Sequence, residues 1–163
     1  HVDRELTGIC SFARRRGEPV SVVALAVDYF KSINDGFGHS AGDDVLVGIA
    51  EHLRQQTRQE DLIGRLGGDE FILVLAATAQ AGAWRLAERV RAAIGAAPLD
   101  TRVGPVSATI SIGVTTGDGS DPQGLLRRAD AALYAAKAAG RSVVATNERG
   151  SSMGALDGSP DTS

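Results

Sequence analysis

At 163 residues the chain has the length of one domain and is long enough to bury a substantial apolar core. Its 17 Lys and Arg are outweighed by 20 Asp and Glu, and the net charge of −3 argues against a general nucleic-acid binder, while leaving room for a small phosphate site. Cys10 is the single cysteine, which excludes an internal disulfide, and no apolar run is long enough to cross a bilayer. With no leader-like segment visible, a cytoplasmic domain without membrane contact is expected.

Residues 20–27 (VSVVALAV) are apolar and β-branched, which predicts a buried strand entered at Pro19. Residues 28–43 are polar and carry Gly36, Gly38 and Gly42, the pattern of a short helix or turn followed by a loop. From Asp43 to Arg54, Leu46, Ile49, Ala50 and Leu53 recur at helical spacing, and Ser40 with Asp43 resembles a capping box at its start. Residues 62–75 (LIGRLGGDEFILVL) predict two strands joined by a two-residue Gly67-Gly68 turn, with glycine supplying positive φ. Asp69 and Glu70 then sit at the hairpin tip or just after it. Residues 79–94 predict a helix that buries Ala83, Leu86, Ala87, Val90 and Ile94. Residues 106–114 predict a strand, residues 125–139 an Ala-rich helix stopped by Gly140, and residues 143–145 a last short strand. Strands and helices alternate around a central hairpin, so an α+β sandwich with a mixed sheet and packed helices is expected. The ordered domain is expected over 1–146. Residues 147–163, rich in Gly, Ser, Asp and Pro, read as a flexible linker or tail.

Four segments stand out: VDYFKSINDGFGHSAGDD (27–44), RQEDLIGRLGGDEF (58–71), SATISIGV (107–114) and RRADAALYAAKAAGR (127–141). In this order and spacing they resemble the GGDEF family of diguanylate cyclases, over residues 6–144. The resemblance implies a fold like that of nucleotidyl-cyclase and polymerase palm domains. It implies a homodimer in which each subunit holds one GTP. The 3′-hydroxyl of each GTP attacks the α-phosphate of the other, giving cyclic di-GMP and pyrophosphate, with Mg²⁺ or Mn²⁺ as cofactor. It further implies a bacterial signalling protein in which a sensory or effector domain is fused to this one.

Two carboxylates beside a Gly-Gly hairpin make a hard-cation site, although alone they would read as solvated surface charges. By the resemblance, Asp69 and Glu70 lie beside the metal and triphosphate, with the backbone carbonyl of Val27 and possible help from Asp28. Gly67 and Gly68 let a phosphate approach the backbone. Lys31 matches a phosphate-contacting lysine, although an isolated lysine is usually solvated. Asn34 and Asp43 match the pair that reads guanine: a carboxylate accepts from N1–H and N2–H₂, and an amide meets O6 or N3. Alone, Asp43 would read as a helix cap and Asn34 as a turn residue. Lys137 and Arg141, four apart, match basic residues that reach the triphosphate, and would otherwise read as partners of a helix C-terminus. Arg58 and Asp61 form the RxxD pattern of the family's inhibitory product site, and Arg89 falls where a further arginine contributes. The planar fork of arginine suits a phosphate and stacks on guanine.

The chain departs from the family pattern in three places. Asp-x-Asp-x-Phe-Lys is replaced by Ala26-Val27-Asp28-Tyr29-Phe30-Lys31, so the first metal carboxylate is missing. Leu6-Thr7-Gly8-Ile9 resembles the start of the family's opening motif but lacks its Asn-Arg. Against that motif about a dozen residues are missing before Pro19, roughly three helical turns. The expectation is either a shortened first helix or a skipped stretch, and a true deletion would open the core beside the guanine pocket. Ser142 replaces the usual Asn. Two readings therefore stand, an active cyclase and a degenerate domain that binds GTP or cyclic di-GMP and regulates a partner.

Overall fold

The computed structural model describes residues 2–146, so the expected tail lies outside the described residues. A five-stranded sheet runs in the order β2-β3-β1-β6-β7. Its strands are β1 (Val20–Val27), β2 (Leu62–Arg65), β3 (Glu70–Leu75), β6 (Ile110–Gly117) and β7 (Val144–Thr146). Every residue of β1 is buried because the strand lies centrally, with antiparallel partners on both sides. Only the β6–β7 pair is parallel.

Alternation along β1 builds two cores. Val23, Leu25 and Val27 face α3 (His39–Gln56) and α4 (Gln80–Ala96). Val22, Ala24 and Ala26 face α1 (Val2–Arg16) and α5 (Pro122–Ala138). The latter helix is started by Pro122 and by Asp121, whose side chain accepts from Gly124 N–H. It crosses β6 so closely that a Cβ at Gly113 would run into the backbone of Ala129 and Leu133. A helix α2 (Phe30–Phe37) joins β1 to α3, and a separate hairpin, β4 (Leu99–Thr101) with β5 (Gly104–Val106), packs against α3.

The predicted mixed sheet and helices are present, with four local differences. The helix expected from Asp43 begins at His39, directly after α2, because Gly38 at φ 96 makes the corner. Its N-cap is Gly38 without a side-chain cap, so Ser40 and Asp43 lie inside α3 and form no capping box. The hairpin turn is wider than two residues: Leu66 N–H donates to Glu70 O at 2.8 Å and leaves Gly67, Gly68 and Asp69 in the loop. Neither glycine adopts positive φ; the Arg65 guanidinium holds the turn by donating to the carbonyls of Gly67 and Gly68. The strand expected over 106–114 is broken, since Val106 closes the small hairpin and β6 runs from Ile110 to Gly117.

The fourth difference concerns the N-terminus. Leu6-Thr7-Gly8-Ile9 lies within one continuous 15-residue helix, and Leu6, Cys10 and Ala13 are its buried stripe. This helix packs on the α5 side of the sheet, away from α2 and α3.

Candidate active site

The site forms where β1 ends. Val27 N–H donates to Asp69 O at 3.1 Å, which pins the hairpin loop to the strand. Ala26 pairs with Glu70 across β1 and β3, so both side chains leave the same face of the sheet, toward α5. Burial pushes the Glu70 carboxyl up, and Asp130 and Asp69 push it further, while Lys137 opposes them. Glu70 thus lies within electrostatic reach of Asp69 and of two residues on α5. Ala26 is 1% exposed and supplies only a methyl group where the family pattern has a carboxylate. Among the described residues, no three His, Cys, Asp or Glu side chains converge as a ready metal cage.

After Asp28, Tyr29 adopts the left-handed conformation at φ 55 and opens α2. Lys31 follows on an exposed turn, where its ammonium pairs with Asp35 at 3.0 Å. Asn34 leans against α3 at Gly42: a Cβ there would collide with Asn34 Oδ1. That oxygen is buried and has no hydrogen-bond partner. Asp43, one residue on, is exposed and accepts no hydrogen bond from the described residues. Its neighbour Asp44 is instead clamped by the Arg102 guanidinium and backbone N–H, with contacts of 2.9–3.0 Å. Asn34 thus sets a buried, unpartnered amide oxygen against Gly42, whose neighbour Asp43 carries an exposed carboxylate.

Asp28, a possible metal ligand by sequence, is 4% exposed and already engaged. It accepts from Thr109 Oγ1 and Ser111 Oγ, each at 2.6 Å, and from Ser142 N–H at 3.1 Å. Arg141 leaves the end of α5 and lays its guanidinium 4.8 Å from the centre of the Tyr29 ring.

A second polar region lies on the α3–α4 side. Asp61, with a side chain 2% exposed, accepts from the N–H groups of Arg58 and Ala76. It anchors the loop that carries Arg58, whose guanidinium reaches Ala76 O and Thr78 Oγ1. Arg58, Arg85 and Arg89 line one groove of about 470 Å³, in which Arg89 donates to Gln56 Oε1. The sequence reading omitted Arg65, Arg85, Arg91 and Asp130. Arg65 was visible directly before the glycines, and Asp130 stands seven residues before Lys137 on one helix face. Arg85 and Arg91 carry no signal beyond an exposed helical arginine.

A mixed sheet with helices on both faces and this strand-end site define a domain of the nucleotidyl-cyclase palm fold. The family model "Diguanylate cyclase, GGDEF domain" matches residues 1–143. PleD, a response regulator of Caulobacter vibrioides, is 43% identical over 152 residues, covering 88% of this chain and 34% of its own. Diguanylate cyclase DgcP of Pseudomonas aeruginosa is 47% identical over 128 residues, covering 78% of this chain and 19% of its own. The chain therefore spans between about a fifth and about a third of these curated relatives. The crystal structure of the GGDEF domain of DgcB from Caulobacter crescentus, in complex with c-di-GMP, superimposes with a TM-score of 0.85 at 30% identity. It covers 90% of this chain and 86% of that one. The GGDEF domain of PA1120 from Pseudomonas aeruginosa gives 0.85 at 38% identity, covering 90% and 93%. The chain belongs to the GGDEF domain family of diguanylate cyclases, the family of cyclic di-GMP signalling.

Proposed function

We propose that this domain condenses two GTP to cyclic di-GMP and pyrophosphate as a homodimer. The observation that carries the reading is the grouping of Asp69, Glu70 and Lys137 at the end of β1, beside an Asn34–Asp43 pair with unused polar atoms. Asp43 accepts from guanine N1–H and N2–H₂, and Asn34 completes the edge. Lys137, Arg141 and Lys31 hold the triphosphate, Lys31 by leaving its exposed contact with Asp35. The open Gly67–Gly68 turn lets the phosphates approach the backbone.

The donor set fits a divalent ion that arrives with its substrate. Mg²⁺ commonly rests on one or two carboxylates plus phosphates rather than on an all-protein cage. Asp69 and Glu70 supply those carboxylates and the Val27 carbonyl adds a neutral oxygen; burial first, then Asp130, raises the affinity of Glu70 for a proton, against which Lys137 acts. When bound, Mg²⁺ or Mn²⁺ lowers the charge cost of bringing the 3′-hydroxyl up to the phosphates. Arg58 and Arg89, with Asp61 holding the loop, form the inhibitory site for cyclic di-GMP. We place the domain in the bacterial cytoplasm, within a longer signalling protein. No described helix is long and apolar enough to cross a membrane.

One observation favours a second reading. The buried methyl of Ala26 removes a carboxylate from the metal site while the arginine groove stays intact, as in a domain that binds nucleotide and regulates a partner. The test is incubation with GTP and Mg²⁺ or Mn²⁺, with the nucleotides resolved by chromatography. Accumulating cyclic di-GMP supports the cyclase. Bound nucleotide without product supports the regulatory domain, and absence of both overturns the two readings together.

A further inference from the structure

The turn that follows α5 is built with more support than its exposure demands. Arg141 and Ser142 both adopt left-handed backbone conformations, with φ 67 and φ 53. Two successive non-glycine residues there are unfavourable and persist only where the surroundings hold them. Both polar groups of the Ser142 peptide are held. Its N–H donates to Asp28 Oδ2 and to Ser111 Oγ, each at 3.1 Å. Its carbonyl accepts from Arg91 Nη1 at 3.2 Å. Arg91 comes from α4 and is fixed in turn by a two-pronged pairing with Glu88, one turn earlier on the same helix.

Asp28 acts on both halves of one stack. Its carboxylate fixes Ser142, next to Arg141, and its backbone leads directly into Tyr29, the ring over which Arg141 lies. A side chain as long as arginine, just past the end of a helix, would otherwise sample many rotamers and lose that freedom on binding a ligand.

We propose that Asp28 and Arg91 are positioning residues for Arg141. They lock the Arg141–Ser142 turn from two sides, so that the guanidinium, stacked on Tyr29, is preset for a triphosphate. Asp28 thereby serves the phosphate end of the site through hydrogen bonds and supplies no metal ligand. This rests on the reading of Arg141 as a triphosphate contact.

The experiment measures affinity for the α,β-methylene analogue of GTP, which cannot lose pyrophosphate, in Mg²⁺, and for guanosine. The proteins are wild type, Arg91→Met, Arg141→Met and the double variant. Arg141→Met is expected to weaken the analogue about tenfold, and Arg91→Met roughly fivefold, with guanosine affinity unchanged in both. The double variant should be no weaker than Arg141→Met, because Arg91 acts only through that side chain. Additive losses, or an Arg91→Met affinity equal to wild type beside a weakened Arg141→Met, overturn the positioning role and leave the phosphate reading standing. An unchanged Arg141→Met overturns that phosphate reading, and the proposal with it. Should Arg91→Met fail to fold, Glu88→Gln, which loosens Arg91 without removing it, must move analogue affinity in the same direction.

Discussion

Asn34 and Gly42 act as one unit across two helices. The amide oxygen of Asn34 occupies the space a Cβ at position 42 would need, and the Phe30 ring closes the same gap at 3.2 Å. Gly42→Ala is therefore expected to push Asn34 off α3 and to weaken GTP-analogue binding by about 1 kcal/mol, the worth of one polar contact. Calorimetry checks it, and an unchanged affinity would remove Asn34 from the guanine site. Ala26 poses the opposite question. Ala26→Asp puts a carboxylate beside Glu70 on a face that already raises the affinity of that acid for protons. Burying another unpaired charge costs stability, so a lower melting temperature is expected in chelator. Mg²⁺ with nucleotide should restore it, because a ligand bound only by the folded state stabilises that state. No Mg²⁺-dependent recovery would mean that position 26 lies outside the metal's reach. At this scale the motif announced the acids Asp69 and Glu70, which the structure sets near one another and near Lys137. The sequence was silent on pairings that depend on rotamers and distant elements. Lys31 meeting Asp35 and Asp28 turning to Thr109, Ser111 and Ser142 are two such cases.

The β4–β5 hairpin shows what an element contributes beyond its own length. Its strands have three residues each, too short for any periodicity to reveal, and the sequence reading merged part of it into β6. Leu99 packs on Gly48 at 3.1 Å from where a Cβ would stand, and Arg102 grips Asp44 from the hairpin tip. The first helix was expected only as a shortened one, from the resemblance; Leu6, Cys10 and Ala13 form the buried stripe of its 15 residues. Long amphipathic elements such as α4 were legible because burial imposes their period. The hairpin clamp predicts a pH effect. Hydrogen bonds from Arg102 hold the Asp44 carboxyl at about 2, below its ordinary 3.8. A depressed carboxylate contributes stability that is fully present above its unfolded pKa and disappears as pH falls through the folded one. The difference in denaturation midpoint between wild type and Asp44→Asn should therefore shrink between roughly pH 4 and pH 2. The pair is solvent-exposed, so the difference should be small and should fall with added salt. A difference that is constant across that window would show that the clamp carries no net charge effect.

Over the whole molecule, the sheet separates two kinds of work. On the proposed reading the α2–α3 side offers the guanine contacts, β3 and α5 bring acids and bases to the phosphate end, and one domain holds one GTP. The proposed reaction needs two, because the 3′-hydroxyl that attacks an α-phosphate belongs to the nucleotide on the other subunit. Attack of a 3′-hydroxyl on its own α-phosphate would give a cyclic mononucleotide, so the dinucleotide product requires a second bound GTP. Holding two nucleotides face to face makes the step effectively unimolecular only after two domains have met. Below the concentration at which dimers form, product should appear with second-order dependence on protein, so that halving the enzyme cuts the initial rate fourfold. Above it the order should fall to one. Initial rates over a dilution series at saturating GTP and Mg²⁺, beside sedimentation of the same samples, read both regimes. If the rate per protomer stays constant while the samples sediment as monomers, the two-subunit reaction is wrong for this chain. A steep rate that tracks the dimer fraction would tie catalysis to the meeting of two strand-end sites.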